Sequence, residues 1–170
     1  MRPRQKKRSV IILKADFEKA YDSVRWSFLY DMMKWMGFPM KWIRWIQQCF
    51  ETATVSVLVN GSPTEEFRMQ RGLRQGDPLA PFLFLIVAEG LSALMRRAVS
   101  EGLFKGVEVG NNGERVACLQ YADDTLFMGE ASLQNVTIKS VLRCFELATG
   151  LKVNFFKSSL GGVMVENREM

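Results

Sequence analysis

The chain has 170 residues, a formal net charge of +5 and a pI near 9.3, and 48% of its residues are apolar. That length and apolar share suit one domain with a real core and exclude a disordered chain. Histidine is absent, which excludes Ser-His-Asp and Cys-His catalysis, His-ligated zinc and histidine acid–base chemistry within these residues.

In chain order, Met1-Arg2-Pro3-Arg4-Gln5-Lys6-Lys7-Arg8 is a basic block without the apolar stretch of a signal peptide, and residues 1–9 read as a basic N-terminal arm. Val10 to Ala15 reads as a buried strand that ends at Asp16. Asp22 or Ser23 is placed to cap a helix whose stripe is Val24, Phe28, Met32 and Met36, and which Gly37 and Pro39 end. A second helix carries Trp42, Ile43, Ile46 and Phe50. Thr54 to Val59 and Glu66 to Met69 flank the turn signal Asn60-Gly61 and read as a hairpin.

A polar, basic loop from Gln70 to Gly76 follows. Asp77-Pro78 is a helix start, and the helix runs to about Val99 with Leu79, Phe82, Leu83, Ile86, Val87, Leu91, Leu94 and Met95 inward. Gly110-Asn111-Asn112-Gly113 is a turn before a strand from Arg115 to Tyr121, and Thr125 to Met128 is the next strand. A helix from about Ser132 ends at Gly150, and Leu151 to Phe155 is a last strand before Lys157. Without the accessory hairpin, this order implies an α+β fold: a split βαβ, ferredoxin-like sheet with helices on one face. No linker, repeat or low-complexity tract divides residues 10–170.

No run of about 18 apolar residues occurs, so no transmembrane helix and no membrane partner is expected. Cys49, Cys118 and Cys144 form no CxxC pattern, which argues against zinc and disulfide frameworks and is compatible with an intracellular location, nucleus or cytoplasm. The positive balance favours a polyanionic partner.

The chemistry concentrates in three acids. Asp123-Asp124 sits between two apolar strands, where paired carboxylates repel unless a cation joins them. Asp16 closes another apolar run, and in a split βαβ sheet it can meet the Asp123-Asp124 tip at one edge. Three carboxylates at strand ends are the usual protein share of a two-Mg²⁺ site for phosphoryl transfer. Taken alone, an Asp-Asp pair also suits a solvated turn.

Four motifs in order turn this pattern into a resemblance. Ala15-Asp16-Phe17-Glu18-Lys19-Ala20-Tyr21-Asp22, Arg71-Gly72-Leu73-Arg74-Gln75-Gly76-Asp77-Pro78-Leu79-Ala80-Pro81, Tyr121-Ala122-Asp123-Asp124 and Gly150-Leu151-Lys152-Val153-Asn154-Phe155-Phe156-Lys157-Ser158 resemble the four palm motifs of reverse transcriptases from plant LINE-type, non-LTR retrotransposons. The resemblance covers about Val10 to Leu160 and implies a polymerase palm, with part of the fingers, over residues 10–170, and no thumb or endonuclease.

The resemblance implies RNA-templated DNA synthesis from dNTPs on a DNA primer, with two Mg²⁺ ions or Mn²⁺ in their place. Asp16 and Asp123 would hold the metals, the Phe17 carbonyl would add an oxygen, and Asp124 would support them. Tyr21 would face the sugar of the incoming nucleotide and disfavour a 2′-hydroxyl. Gln75 and Gly76 would lie near the template–primer and nucleotide, Lys157 near the leaving pyrophosphate, and Arg71, Arg74 and Tyr121 along the nucleic acid. A viral-type RNA-dependent RNA polymerase palm shares the paired-Asp logic, but usually has Gly before the pair and lacks an aromatic at the place of Tyr21. A domesticated palm that binds RNA or protein without polymerising is the third reading.

Overall fold

The structure is a computed structural model and describes residues 7–109 and 113–166. Its elements in chain order are β1 (Lys7–Ala15), α1 (Ala20–Ser23), α2 (Trp26–Trp35), α3 (Met40–Glu51), β2 (Thr54–Val55), β3 (Leu58–Val59), β4 (Ser62–Pro63), β5 (Phe67–Arg68), α4 (Ala80–Ser100), β6 (Val107–Val109), β7 (Glu114–Val116), β8 (Cys118–Tyr121), β9 (Asp124–Glu130), α5 (Ile138–Thr149) and β10 (Ser159–Glu166). A 3₁₀ turn, Leu133–Thr137, leads into α5.

The main sheet has the order β10-β1-β9-β8 and every neighbouring pair is antiparallel. This is the split βαβ arrangement: β9 lies between β1 and β8, and β1 between β9 and β10. Along β9 the side chains alternate, so Thr125, Phe127 and Gly129 are buried while their neighbours are not. The core joins Phe127 to Leu29 and Met33 of α2, Phe84, Val87 and Leu91 of α4, and Leu142 and Phe145 of α5. Among the described residues, no helix is long and apolar enough to cross a membrane.

Several elements differ from the sequence-based expectation. β1 begins at Lys7, so the end of the expected basic arm is strand; residues 1–6 lie outside the described residues, as do Gly110, Asn111 and Asn112 of the expected turn. The accessory hairpin forms as two short ladders, β2 with β5 and β3 with β4. Neither Asp22 nor Ser23 caps α2: its N-cap is Arg25 with no side-chain cap, and the Ser23 hydroxyl donates to the Glu18 carbonyl. Asp77 does not cap α4 as expected: its Oδ1 accepts the Leu79 N–H at 2.8 Å in the turn before the helix, whose N-cap is Leu79 with no side-chain cap and whose regular part starts at Ala80. In and before α4, Leu79, Phe82 and Leu94 are exposed rather than inward, because α2, α5 and the sheet cover only part of the helix.

The last strand is displaced. Leu151 to Phe155 contributes only an isolated bridge between Val153 and Phe17, and the strand proper is β10, paired with β1 from Lys7 to Lys14. Gly161-Gly162 hides this strand from local propensity, and tertiary pairing overrides it.

Candidate active site

Asp16 follows β1 directly, and its backbone is held on both sides. Its N–H donates to Ser158 Oγ at 3.1 Å, and its carbonyl accepts the Asn154 N–H at 2.7 Å. Phe17 anchors the next position from below: its ring is 8% exposed and lies 6.2 Å from Phe145. The segment after α5, which supplies Asn154 and Ser158, therefore positions the first acid. Sequence reasoning missed both residues, since neither carries a charge or a metal-ligating group.

The other acids arrive on the β8–β9 hairpin. Tyr121 pairs with Asp124 across a tight turn, and Ala122 within it is left-handed at φ 53°. Ala15 pairs with Thr125, so continuing the antiparallel register sets Asp16 beside Asp124. Asp16 is half-buried, Asp123 and Asp124 are exposed, and Tyr121 is 83% exposed beside them.

Lys14 is the residue that sequence reasoning overlooked. Strand periodicity puts it on the same face as Asp16, one pair along from Asp124 on the diagonal. Its ammonium contacts Asp124 Oδ1 at 2.9 Å. That hydrogen bond and charge, followed by the charges of Asp16 and Asp123, raise the Lys14 pKa above its usual value. All three carboxylates thus act on one cation. The signal available in sequence was the spacing Lys-x-Asp at a strand end.

Tyr21 stands close to the same tip. Its ring stacks on Phe84, with centroids 4.7 Å apart and planes 20° apart. Burial first, and the charge of Asp123 second, raise its phenol pKa. The tyrosine is braced from behind by an aromatic of α4 and feels the acid of the hairpin in front.

The loop from Gln70 to Gly76 docks onto the first motif. The Gly72 N–H donates to the Val24 carbonyl at 2.7 Å, the Leu73 N–H to the Tyr21 carbonyl at 2.8 Å, and the Trp26 indole N–H to the Gly72 carbonyl at 2.7 Å. Gly72 has φ +93°, and a Cβ there would sit 2.7 Å from the Asp22 carbonyl oxygen. Only glycine allows this approach. Arg74 and Gln75 line a cavity of about 650 Å³ that also touches Trp26, Phe50 and Leu83. Gly76 is exposed in the loop, whereas Arg71 lines a different recess. Lys157 is exposed in the turn before β10, its backbone N–H bonded to Asn154.

The acids are close in register without being gathered. Among the described residues, no set of three or more His, Cys, Asp or Glu side chains forms a metal-binding group. Asp124 is engaged by Lys14 instead. The donor set still fits a hard divalent cation: carboxylate oxygens at the ends of two adjacent strands, with no sulfur or nitrogen ligand beside them. Cys118, on β8, is a free thiol that burial pushes up to about 12; Cys49 and Cys144 are also free.

Comparison with known proteins agrees with this architecture. Residues 2–163 match the family model described as reverse transcriptase (RNA-dependent DNA polymerase). The chain is 32% identical over 156 residues to the Retrovirus-related Pol polyprotein from type-2 retrotransposable element R2DM of Drosophila melanogaster, covering 92% of this chain and 14% of that protein. It is 48% identical over 68 residues to an uncharacterized mitochondrial protein of Arabidopsis thaliana, covering 40% of this chain and 56% of that one. The chain thus spans little more than half of one relative and about a seventh of the other. Among solved structures, apo telomerase from Candida tropicalis, truncated from its C-terminal domain, superposes with a TM-score of 0.70 at 17% identity, over 92% of this chain and 31% of that one. The same enzyme in complex with a fragment of telomeric RNA gives 0.69 at 14% identity, over 91% and 26%. These two likenesses concern the fold. With its four motifs on a ferredoxin-like palm and a family match over nearly its whole length, the chain belongs to the reverse transcriptases, the RNA-directed DNA polymerases, alongside those of non-LTR retrotransposons.

Proposed function

We propose that this chain is the catalytic palm of a retrotransposon polymerase that copies RNA into DNA, extending a DNA primer with dNTPs inside the cell. The observation that carries the reading is that the acids, though not gathered into a metal cluster, lie at one end of the sheet. The β1–β9 register sets Asp16 beside Asp124, and Tyr21 and Lys14 both respond to the charge of Asp123.

Asp16 and Asp123 are the residues to hold two Mg²⁺ ions, or Mn²⁺, with the Phe17 carbonyl as a further oxygen and Asp124 in support. Bound there, such ions would activate the primer 3′-hydroxyl and neutralise charge on the triphosphate. The chain's own residues do the positioning. Asn154 and Ser158 fix the backbone of Asp16. The Tyr21 ring, braced by Phe84, is set to exclude a 2′-hydroxyl. Arg71, Arg74 and Tyr121 line the nucleic-acid path, Gln75 and Gly76 flank the nucleotide, and Lys157 serves the pyrophosphate. One observation favours a second reading, a palm that binds RNA without polymerising: Asp124 is already ion-paired with Lys14.

Primer extension decides between them. The chain, joined to the fingers and thumb regions of a full-length relative, is given RNA or DNA templates with dNTPs or rNTPs. Asp16→Asn and Asp123→Asn each lower incorporation by orders of magnitude, and Tyr21→Ala admits rNTPs. Near-normal incorporation by either Asp variant would sink the two-metal assignment, and no incorporation by the parent would leave the binding module.

A further inference from the structure

β8, which leads into the acidic pair, is an edge strand: in the order β10-β1-β9-β8 only β9 pairs with it. Its ladder is open on one side, so side chains must set how the hairpin leans on the helices. The alternation along β8 turns Leu119 and Tyr121 to solvent and half-buries Cys118 and Gln120 on the other face.

Gln120 lies three residues before Asp123, and its side chain meets α4. The Ser92 hydroxyl donates to Gln120 Oε1 at 2.6 Å, in a half-buried setting. Among the described residues, no other side-chain hydrogen bond joins residues 118–125 to a helix. Thr125, directly across the ladder from Gln120, is 1% exposed, and its hydroxyl has no partner. The surroundings of the bond are therefore dry, and a hydrogen bond in such a place is stronger than one in water.

The same helix carries Phe84, on which the Tyr21 ring stacks. Phe84 and Ser92 are eight residues apart in α4, which is about 12 Å along the axis. One rigid element thus holds the tyrosine at one point and the acidic hairpin at another. We infer that Ser92 and Gln120 form a clamp that sets the height of the acidic tip against the Tyr21 ring, and that both are positioning residues for metal binding and for exclusion of the 2′-hydroxyl. The roles of the acids and of Tyr21 in this inference rest on the polymerase reading above. A slack hairpin moves Asp123 and Asp124 relative to Asp16 and Tyr21, and sites of this kind lose function when their groups stray by about 0.5 to 1 Å.

Ser92→Ala tests the clamp at a residue outside the acidic cluster. It removes the donor but leaves a good helix former, so the melting temperature of the metal-free 170-residue chain shifts by less than about 3 °C. Stabilisation of that chain by millimolar Mg²⁺ falls by about half. In the chain joined to the fingers and thumb regions of a full-length relative, the preference for dNTPs over rNTPs falls about fivefold. Ser92→Thr keeps the hydroxyl and retains both parent values. Gln120→Met repeats Ser92→Ala, and the double variant is no worse than either alone, because the two act through one bond. A bond that serves only the fold would change the melting temperature and leave the Mg²⁺ shift and the sugar preference as in the parent; that result overturns the inference. Equal losses in Ser92→Thr and Ser92→Ala overturn it too, as do additive losses in the double variant or a parent chain that Mg²⁺ does not stabilise. A joined parent that never extends a primer refutes the polymerase reading instead, and the Mg²⁺ shifts of the variants then decide the clamp on their own.

Discussion

The two halves of the candidate active site are built on opposite terms. The second-motif loop is locked to the first motif and the residues just after it by three hydrogen bonds of 2.7 to 2.8 Å and by a glycine with no room for a Cβ. The acidic hairpin tip is open: Tyr121 projects into solvent, Ala122 sits in the left-handed region, and an exposed ion pair to Lys14 links the tip to β1. The loop side is close-packed at Gly72 and Leu73, and the hairpin side is wet, charged and locally strained. Strain and exposed like charge persist where the surrounding structure over-determines them, which is common at sites that gather charge.

That contrast can be broken from the rigid side first. Gly72→Ala combines a disfavoured φ with a 2.7 Å approach to the Asp22 carbonyl, and should lower stability by about 3 kcal/mol in urea unfolding. An unchanged midpoint would mean that the loop can leave the first motif at little cost.

The hairpin leg can be set against its tip by pH. The Cys118 thiol rises from 9.0 to about 12 through burial. The native state then holds this proton more tightly than the unfolded chain, so the contribution is complete below pH 9 and is lost as pH rises from 9 toward 12. Urea midpoints should fall between pH 8 and 10.5 in the parent, and less in Cys118→Ala, whose neutral stability is lower. Parallel declines in the two proteins would show that the leg is wet.

At the tip the expected effects are smaller. Ala122→Gly relieves the left-handed alanine at φ 53°, and should raise stability by up to about 1 kcal/mol. A loss of stability would mean that the turn carries no strain. The smallest effect belongs to Lys14→Met, because its ion pair is exposed. The metal-free melting temperature should fall slightly, while millimolar Mg²⁺ should stabilise this variant more than the parent, since Asp124 is released. Equal metal shifts would mean that Lys14 does not compete with the cation.

What could be read in the chain follows the same division. The Asp123-Asp124 hairpin and α4 were legible because alternation, an acid pair and an Asp-Pro start are local signals. The start of α2 was misread because Asp22 and Ser23 have the chemistry of caps, and only the fold shows Ser23 bonded to Glu18. Phe82 and Leu94 fit a helical stripe, yet exposure is decided by which neighbours α4 meets. Lys14, Asn154 and Ser158 escaped notice because their roles exist only once β1 lies against β9 and the segment before β10 folds over Asp16.

The sheet order carries a consequence for how the molecule assembles. β1 lies between β9 and β10, and Lys7 pairs with Glu166. β1, the first of these strands in chain order, is therefore flanked by the two that come latest among them. Its unpaired edges must wait until β9 and β10 have been made, exposed to wrong partners, before the ladder can close. Such distant pairing makes folding slow relative to helical proteins of similar size. A nascent chain of this kind gains from a chaperone that shields β1 until β10 emerges.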